Sequence, residues 1–308
     1  MKKIFILAGV TSLIYGAHVP KMNIGGFAGV VNPKGKTRII IKNINFEKDT
    51  MYNGNDKIND PKNRDVKVNK TVIGIKSGIG HNLELIFRIP FVNKKLSQTV
   101  KKKSFDMKNS GIGDIVFLTR YSLANQKKGD FAFMEIGAGI KLPTGSTDKS
   151  FNTPMGIKKP NQTQPLQNGS GSYDYLVDFG ITKFIKNSRI DFNTNYIYTT
   201  KGDNEYEFGN QFKFNIGYLR SLNHIFSWQI ELDGIHLDKD EKNGKKVNTT
   251  GGNFLYITPG IQFQVTKKFD ISFGYQKLII RDNNYDSSIK MGGLSEDYRV
   301  LIRFGYNF

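Results

Sequence analysis

YRVLIRFGYNF, residues 298–308, closes the chain. Tyr298, Val300, Ile302, Phe304, Tyr306 and Phe308 recur at every second position, and Arg299, Leu301, Arg303, Gly305 and Asn307 alternate with them. Period two is the signature of a strand, with one face aromatic and aliphatic and the other mixed and polar. A closing strand of this kind, greasy toward lipid and polar toward a lumen, is how an outer-membrane barrel ends. Tyr306 and Phe308 are therefore the expected recognition signal for the barrel-assembly machinery.

Working back from this strand, eleven further segments show comparable alternation. The twelve run approximately 38–46, 67–77, 81–91, 111–123, 130–142, 172–185, 188–200, 207–219, 225–236, 253–266, 269–280 and 297–308. A tilted strand needs roughly 9–11 residues to cross a bilayer, and these segments reach that length. The connections sort by length. Those after even-numbered strands are short (78–80, 124–129, 186–187, 220–224, 267–268). Those after odd-numbered strands are long (47–66, 92–110, 143–171, 237–252, 281–296), with 201–206 breaking the rule. Short turns at one end and long loops at the other fit a bacterial outer-membrane barrel. The expected fold is all-β, a transmembrane antiparallel up-and-down β-barrel of about 12 strands, monomeric, spanning residues 37–308.

The start of the chain fits export. Met1-Lys2-Lys3 precedes a 13-residue, mostly apolar run, Ile4 to Gly16, with small residues Gly16 and Ala17 behind it. This predicts a signal peptide over residues 1–17. Residues 18–36 show no clear strand pattern and are expected to form a periplasmic segment or a plug. The chain has no cysteine, which excludes disulfides, thiolate metal sites and a lipid anchor on cysteine. Its net charge is +18. The Lys runs Lys94-Lys95 and Lys101-Lys102-Lys103 lie between strands, which points to solvated loops and to lipopolysaccharide phosphates rather than to nucleic acid.

The polar face of the strands supplies the candidate site. Its inward positions include Glu84, Arg88, Arg120, Glu135, Lys141, Asp178, Glu231, Arg299 and Arg303, together with Asp114, Asp174, Asp191, Lys213, Asp233 and Asp270. Charges of both signs across a lumen can pair and brace it, or select permeating ions. Glycines share that face, among them Gly137, Gly139, Gly180 and Gly305, and leave room inside. Tyr173, Tyr175, Tyr196, Tyr198 and Trp228 fit the aromatic girdles of the two membrane interfaces.

Several segments are familiar as a set: GIGDIVFLTRYSL (residues 111–123), GIKLPTGS (139–146), GSGSYDYLVDFGITK (169–183), GGNFLYITPGIQF (251–263) and EDYRVLIRFGYNF (296–308). Together they resemble the outer-membrane family described as the MetA-pathway of phenol degradation, also called simply transporters, over roughly residues 70–308. The resemblance implies a barrel that moves small, often hydrophobic or aromatic, molecules. It brings no ligand residues with it.

Catalytic patterns are sparse. There is no HExxH, GxSxG, Walker loop or dinucleotide fingerprint, and no convincing metal-ligand spacing. Of His18, His81, His224 and His236, only His236 lies near the long-loop rim, beside Asp233, Asp238 and Asp240. The expectation is a non-enzymatic channel without cofactor or metal, passing a small-molecule solute and surrounded by outer-membrane lipid. The rival is a non-conducting structural or adhesive barrel with Lys-rich surface loops.

Overall fold

The computed structural model describes Ile24 and residues 29–308. The signal-peptide expectation for residues 1–17 lies outside the described residues. Twelve long strands form the wall. They are β1 (Thr37–Asn53), β2 (Asp65–Gly80), β3 (Leu83–Val100), β4 (Lys103–Ile112 continuing as Ile115–Ala124), β5 (Phe133–Leu142) and β6 (Asp174–Ile185). Then follow β7 (Ser188–Tyr198), β8 (Gln211–Ser221), β9 (Phe226–Leu237), β10 (Gly252–Gln264), β11 (Phe269–Asn283) and β12 (Met291–Asn307). Each pairs antiparallel with its chain neighbours, and β12 pairs with β1, so the sheet closes on itself. At the seam Ile39 faces Tyr306 and Ile41 faces Phe304, and the Phe308 N–H donates to the Thr37 carbonyl at 2.9 Å. Closure removes the unpaired sheet edge that a lipid environment would not tolerate.

The alternation sorts the side chains as expected. On β12, Arg303 and Leu301 are buried toward the lumen, whereas Tyr298, Val300, Phe304, Tyr306 and Phe308 are exposed on the outer wall. Tyr275 and Tyr298 stack at 5.3 Å, and Tyr218 packs on Trp228 at 5.4 Å, as members of the outward girdles. One patch of that wall is polar: Asn43, Asn45, Asn69 and Thr71 hydrogen-bond one another across β1 and β2. Their mutual bonding satisfies the amides within an otherwise apolar surface.

The strand positions match the sequence reading, but their lengths correct it. Residues 92–110 are not a loop. β3 and β4 continue as a hairpin and turn through Lys101 and Lys102, both at positive φ (49° and 62°), the backbone of a two-residue turn that follows the strand twist. Likewise β1 runs to Asn53, β11 to Asn283, and β12 starts at Met291. Apolar alternation ends where the outward face leaves the lipid. Beyond the bilayer that face meets water, so Lys95 and Asp106 replace isoleucines there while pairing continues. The apparent exception at 201–206 also disappears, because β7 ends at Tyr198 and β8 begins at Gln211.

The connection from β5 to β6 is anchored rather than splayed. Phe151 and Leu166 from it form an apolar cluster with Met107, and Leu96 and Phe105 pack against them. It therefore lies on the lumen-side face of the β3–β4 extension, at the mouth.

Candidate functional site in the barrel lumen

All nine charged residues expected inside point into the lumen, and most are already paired. Toward the short-turn end, Arg120 on β4 bridges Asp178 on β6 (Nη2–Oδ2, 2.6 Å) and Glu135 on β5 (Nε–Oε2, 3.0 Å). The Arg120 side chain is fully shielded from solvent, which is tolerable only because its charge is met from two sides. No room is left over: a β-carbon on Gly137 would sit 2.1 Å from Asp178 Oδ1. Glu84 pairs with Lys76 at 3.2 Å. Arg303 donates to Asp270 (2.9 Å), whose other oxygen takes Arg38 at 2.6 Å, so Asp270 joins the two seam strands to β11. Arg189, Asp191 and Thr182 form a further buried set.

Glu231 accepts from Asn215 at 2.8 Å and is bonded to Gln229, and Asn215 also donates to Asp233 (2.6 Å). Nearer the mouth, Arg299 is clamped by Glu296 and donates to Tyr256 Oη at 2.8 Å. Arg88 lies in the field of Arg120, Asp178, Glu135 and Glu84. Thus the periplasmic half of the lumen is a braced, charge-compensated layer.

The familiar motifs meet at one carboxylate. Asp114, the acid of GIGD, accepts the N–H of Gly145 from LPTGS (3.0 Å) and both the N–H and hydroxyl of Ser170 from GSGS (2.9 and 2.8 Å). Lys141 pairs with Asp114 at 3.1 Å and with Asp174 at 2.6 Å. Gly145 and Gly169 must be glycine for the backbones to approach so closely: a β-carbon on Gly169 would lie 2.1 Å from the Gly145 carbonyl oxygen. The junction clips the two ends of the long loop together at the mouth. Sequence reading recognised each motif and set Asp114 on the inward face, but nothing in the one-dimensional pattern shows three segments meeting.

The segment before β1 contacts the lumen wall. The Ile24 N–H donates to Glu231 Oε1 (2.7 Å), Gly29 N–H to Thr182 Oγ1 (2.8 Å) and Asn32 N–H to Glu84 Oε1 (3.1 Å). Ile24 is 1 % exposed, and its side chain lies against Gly260 and Gly274. Small residues on the wall thus make room for chain rather than for open space.

His236 lies on the outer face of β9, half exposed, where Asn253 (2.6 Å) and Asp238 (3.2 Å) engage its two ring nitrogens. Its ring therefore faces away from the lumen and the paired carboxylates within it.

Comparison with known proteins agrees with this architecture. The structure is similar to the COG4313 outer membrane channel from Pseudomonas putida F1, with a TM-score of 0.67 and 12 % identity over 90 % of this chain and 97 % of that one. It is also similar to the beta domain of the Bordetella autotransporter BrkA, with a TM-score of 0.52 and 10 % identity over 89 % and 99 % of the two chains. At such identities the likeness establishes the fold, an outer-membrane β-barrel. No curated protein matches the sequence. A family profile does match, over residues 63–285, which include the Asp114 junction and most of the wall. The chain therefore belongs to the outer-membrane barrel family described as "Putative MetA-pathway of phenol degradation".

Proposed function

We propose that this protein is a channel for passive passage of small molecules across the bacterial outer membrane. One observation carries the reading: a closed twelve-strand wall, apolar outside, encloses a lumen lined with charged and hydrogen-bonding side chains. A twelve-strand barrel falls between side-chain-filled eight-strand cans and the wide porins. Its free bore is accordingly narrow. The nine inward charges act as its walls: Arg120, Glu135, Asp178, Glu84, Glu231 and Arg303 as braces, and Arg88, Lys141 and Arg299 as groups nearer the solute path.

In the same reading residues 1–17 are the export signal, and the segment that carries Ile24, Gly29 and Asn32 enters from the periplasmic end and narrows the lumen. The bonds of Ile24, Gly29 and Asn32 to wall residues support this. Tyr306 and Phe308 serve assembly, and outward lysines above the girdle meet lipopolysaccharide phosphates. The family's description, which refers to phenol degradation, favours a small, hydrophobic or aromatic solute.

The test is efflux from proteoliposomes loaded with solutes of graded size. Release of solutes the size of a single aromatic ring, with retention of disaccharides, is the expected result. Retention of every solute by a correctly inserted barrel would contradict a channel and favour the structural role.

A further inference from the structure

Two lumen lysines differ from every charge described above. Lys70 on β2 and Lys213 on β8 both point inward and are half-buried. Their strands stand six apart in a ring of twelve, so the two ammonium groups approach from opposite walls. Among the described residues, neither side chain makes a hydrogen bond or an ion pair. Lys213 lies in the field of Lys70, Arg299, Arg88 and Lys42, with no carboxylate among its principal neighbours. Lys70 lies in the field of Arg88, Arg299 and Lys141, with Asp114 the acid among its strongest influences, and that acid is already engaged by Lys141, Gly145 and Ser170.

The acids of the lumen are engaged elsewhere, Glu231 and Asp233 by neutral donors and by the field of Lys42. Asp178 and Glu135 hold Arg120, Asp270 holds Arg38 and Arg303, and Glu296 holds Arg299. Positive potential between Lys70 and Lys213 therefore predominates in a narrow bore with low-dielectric walls, where field lines concentrate. The lumen wall beside Lys70 is apolar: Ile44 is its direct cross-strand partner, and Leu301 is the partner of Ile44 on the other side.

We propose that Lys70 and Lys213 form an anion-binding constriction and that the solute of this channel is a small organic carboxylate. Its two oxygens take donors from the opposed ammonium groups, which have donors to spare. Its apolar body rests on Ile44 and Leu301. The passage of such a solute rests on the channel reading; the binding site itself does not.

Two measurements separate the claims. The refolded mature barrel is titrated with benzoate, and with the neutral isostere benzamide, by ligand-observed NMR. The expected result is benzoate binding without benzamide binding, and a loss of about tenfold or more in benzoate affinity in K70Q/K213Q, since each removed charge lay within a few ångströms of the anion. K70R/K213R, which keeps both charges, should retain binding and shows that the pair can be altered without unfolding the barrel. Reversal potentials in planar bilayers should show anion preference in the wild type and a severalfold smaller anion-to-cation permeability ratio in K70Q/K213Q. Equal binding of benzoate and benzamide, or benzoate affinity unchanged in the double Gln variant, overturns the site. A barrel that passes no current but loses benzoate binding in the variant refutes the channel and leaves the site standing.

Discussion

Replacing Asp114 by Ala should release the long loop at the mouth. The carboxylate accepts from the Gly145 N–H (3.0 Å), the Ser170 N–H (2.9 Å) and the Ser170 hydroxyl (2.8 Å), and pairs with Lys141 at 3.1 Å. A hydrogen bond to a charged group contributes about 1.5–3 kcal/mol, and water at the mouth replaces part of what is lost. Lys141 also keeps Asp174 as a partner. The net local cost is then about 3 kcal/mol, and the population of the opened loop rises about a hundredfold. Trypsin reads this directly, because Lys149 and Lys158 lie in the loop between the clipped ends. When opening and closing are fast relative to cleavage, the cleavage rate follows the open population. D114A should be nicked within residues 149–159 about a hundredfold faster than wild type, and D114N, which keeps one acceptor oxygen, at an intermediate rate. The β-barrel itself should stay resistant. A D114A cleavage rate within about threefold of wild type would refute the junction as the anchor of the loop.

Other consequences concern the brace, the N-terminal segment and assembly. Arg120→Met strands Glu135 and Asp178 without their shared cation, and should lower unfolding free energy in lipid vesicles by about 3–5 kcal/mol; the triple variant R120M/E135Q/D178N should recover most of that, and failure to recover it would mean that packing, not charge, dominates there. Deleting residues 18–32 removes the contacts of Ile24, Gly29 and Asn32 with Glu231, Thr182 and Glu84. It should raise the conductance of the barrel severalfold, and an unchanged conductance would show that this segment does not restrict the bore. Removing Phe308 takes away the Thr37 seam bond and the edge-to-face contact with Tyr306 at 4.8 Å; pulse-labelled cells should then show slower insertion, and wild-type insertion kinetics would argue against the terminal aromatic as a signal.

The wall was legible in sequence because its physics is local. Alternation such as Tyr298 to Phe308 places every other side chain in lipid, and no tertiary information is needed to see which face is which. The same rule set all nine chosen charges on the lumen face. Strand ends were less legible because the cue was apolarity: once β3 and β4 leave the bilayer, Lys95 and Asp106 stand where Phe and Ile would stand lower down, and pairing persists without that signal. Pairing across the lumen was not legible at all. Arg120 meets Asp178 from 58 residues away, and Asp114 meets Ser170 across 56. Lys70 is a single cation in a weakly alternating strand, and it acquires meaning only when closure brings Lys213 opposite it. Inward glycines could be read as making space, yet Gly180 and Gly260 face the N-terminal segment, a partner that period-two reasoning does not reveal.

Single-channel recording of the refolded mature barrel in a planar bilayer tests the central claim most directly. Small, discrete conductance steps are expected, with anions favoured over cations. Bilayers that contain the inserted barrel and stay silent, before and after deletion of residues 18–32, would contradict a channel.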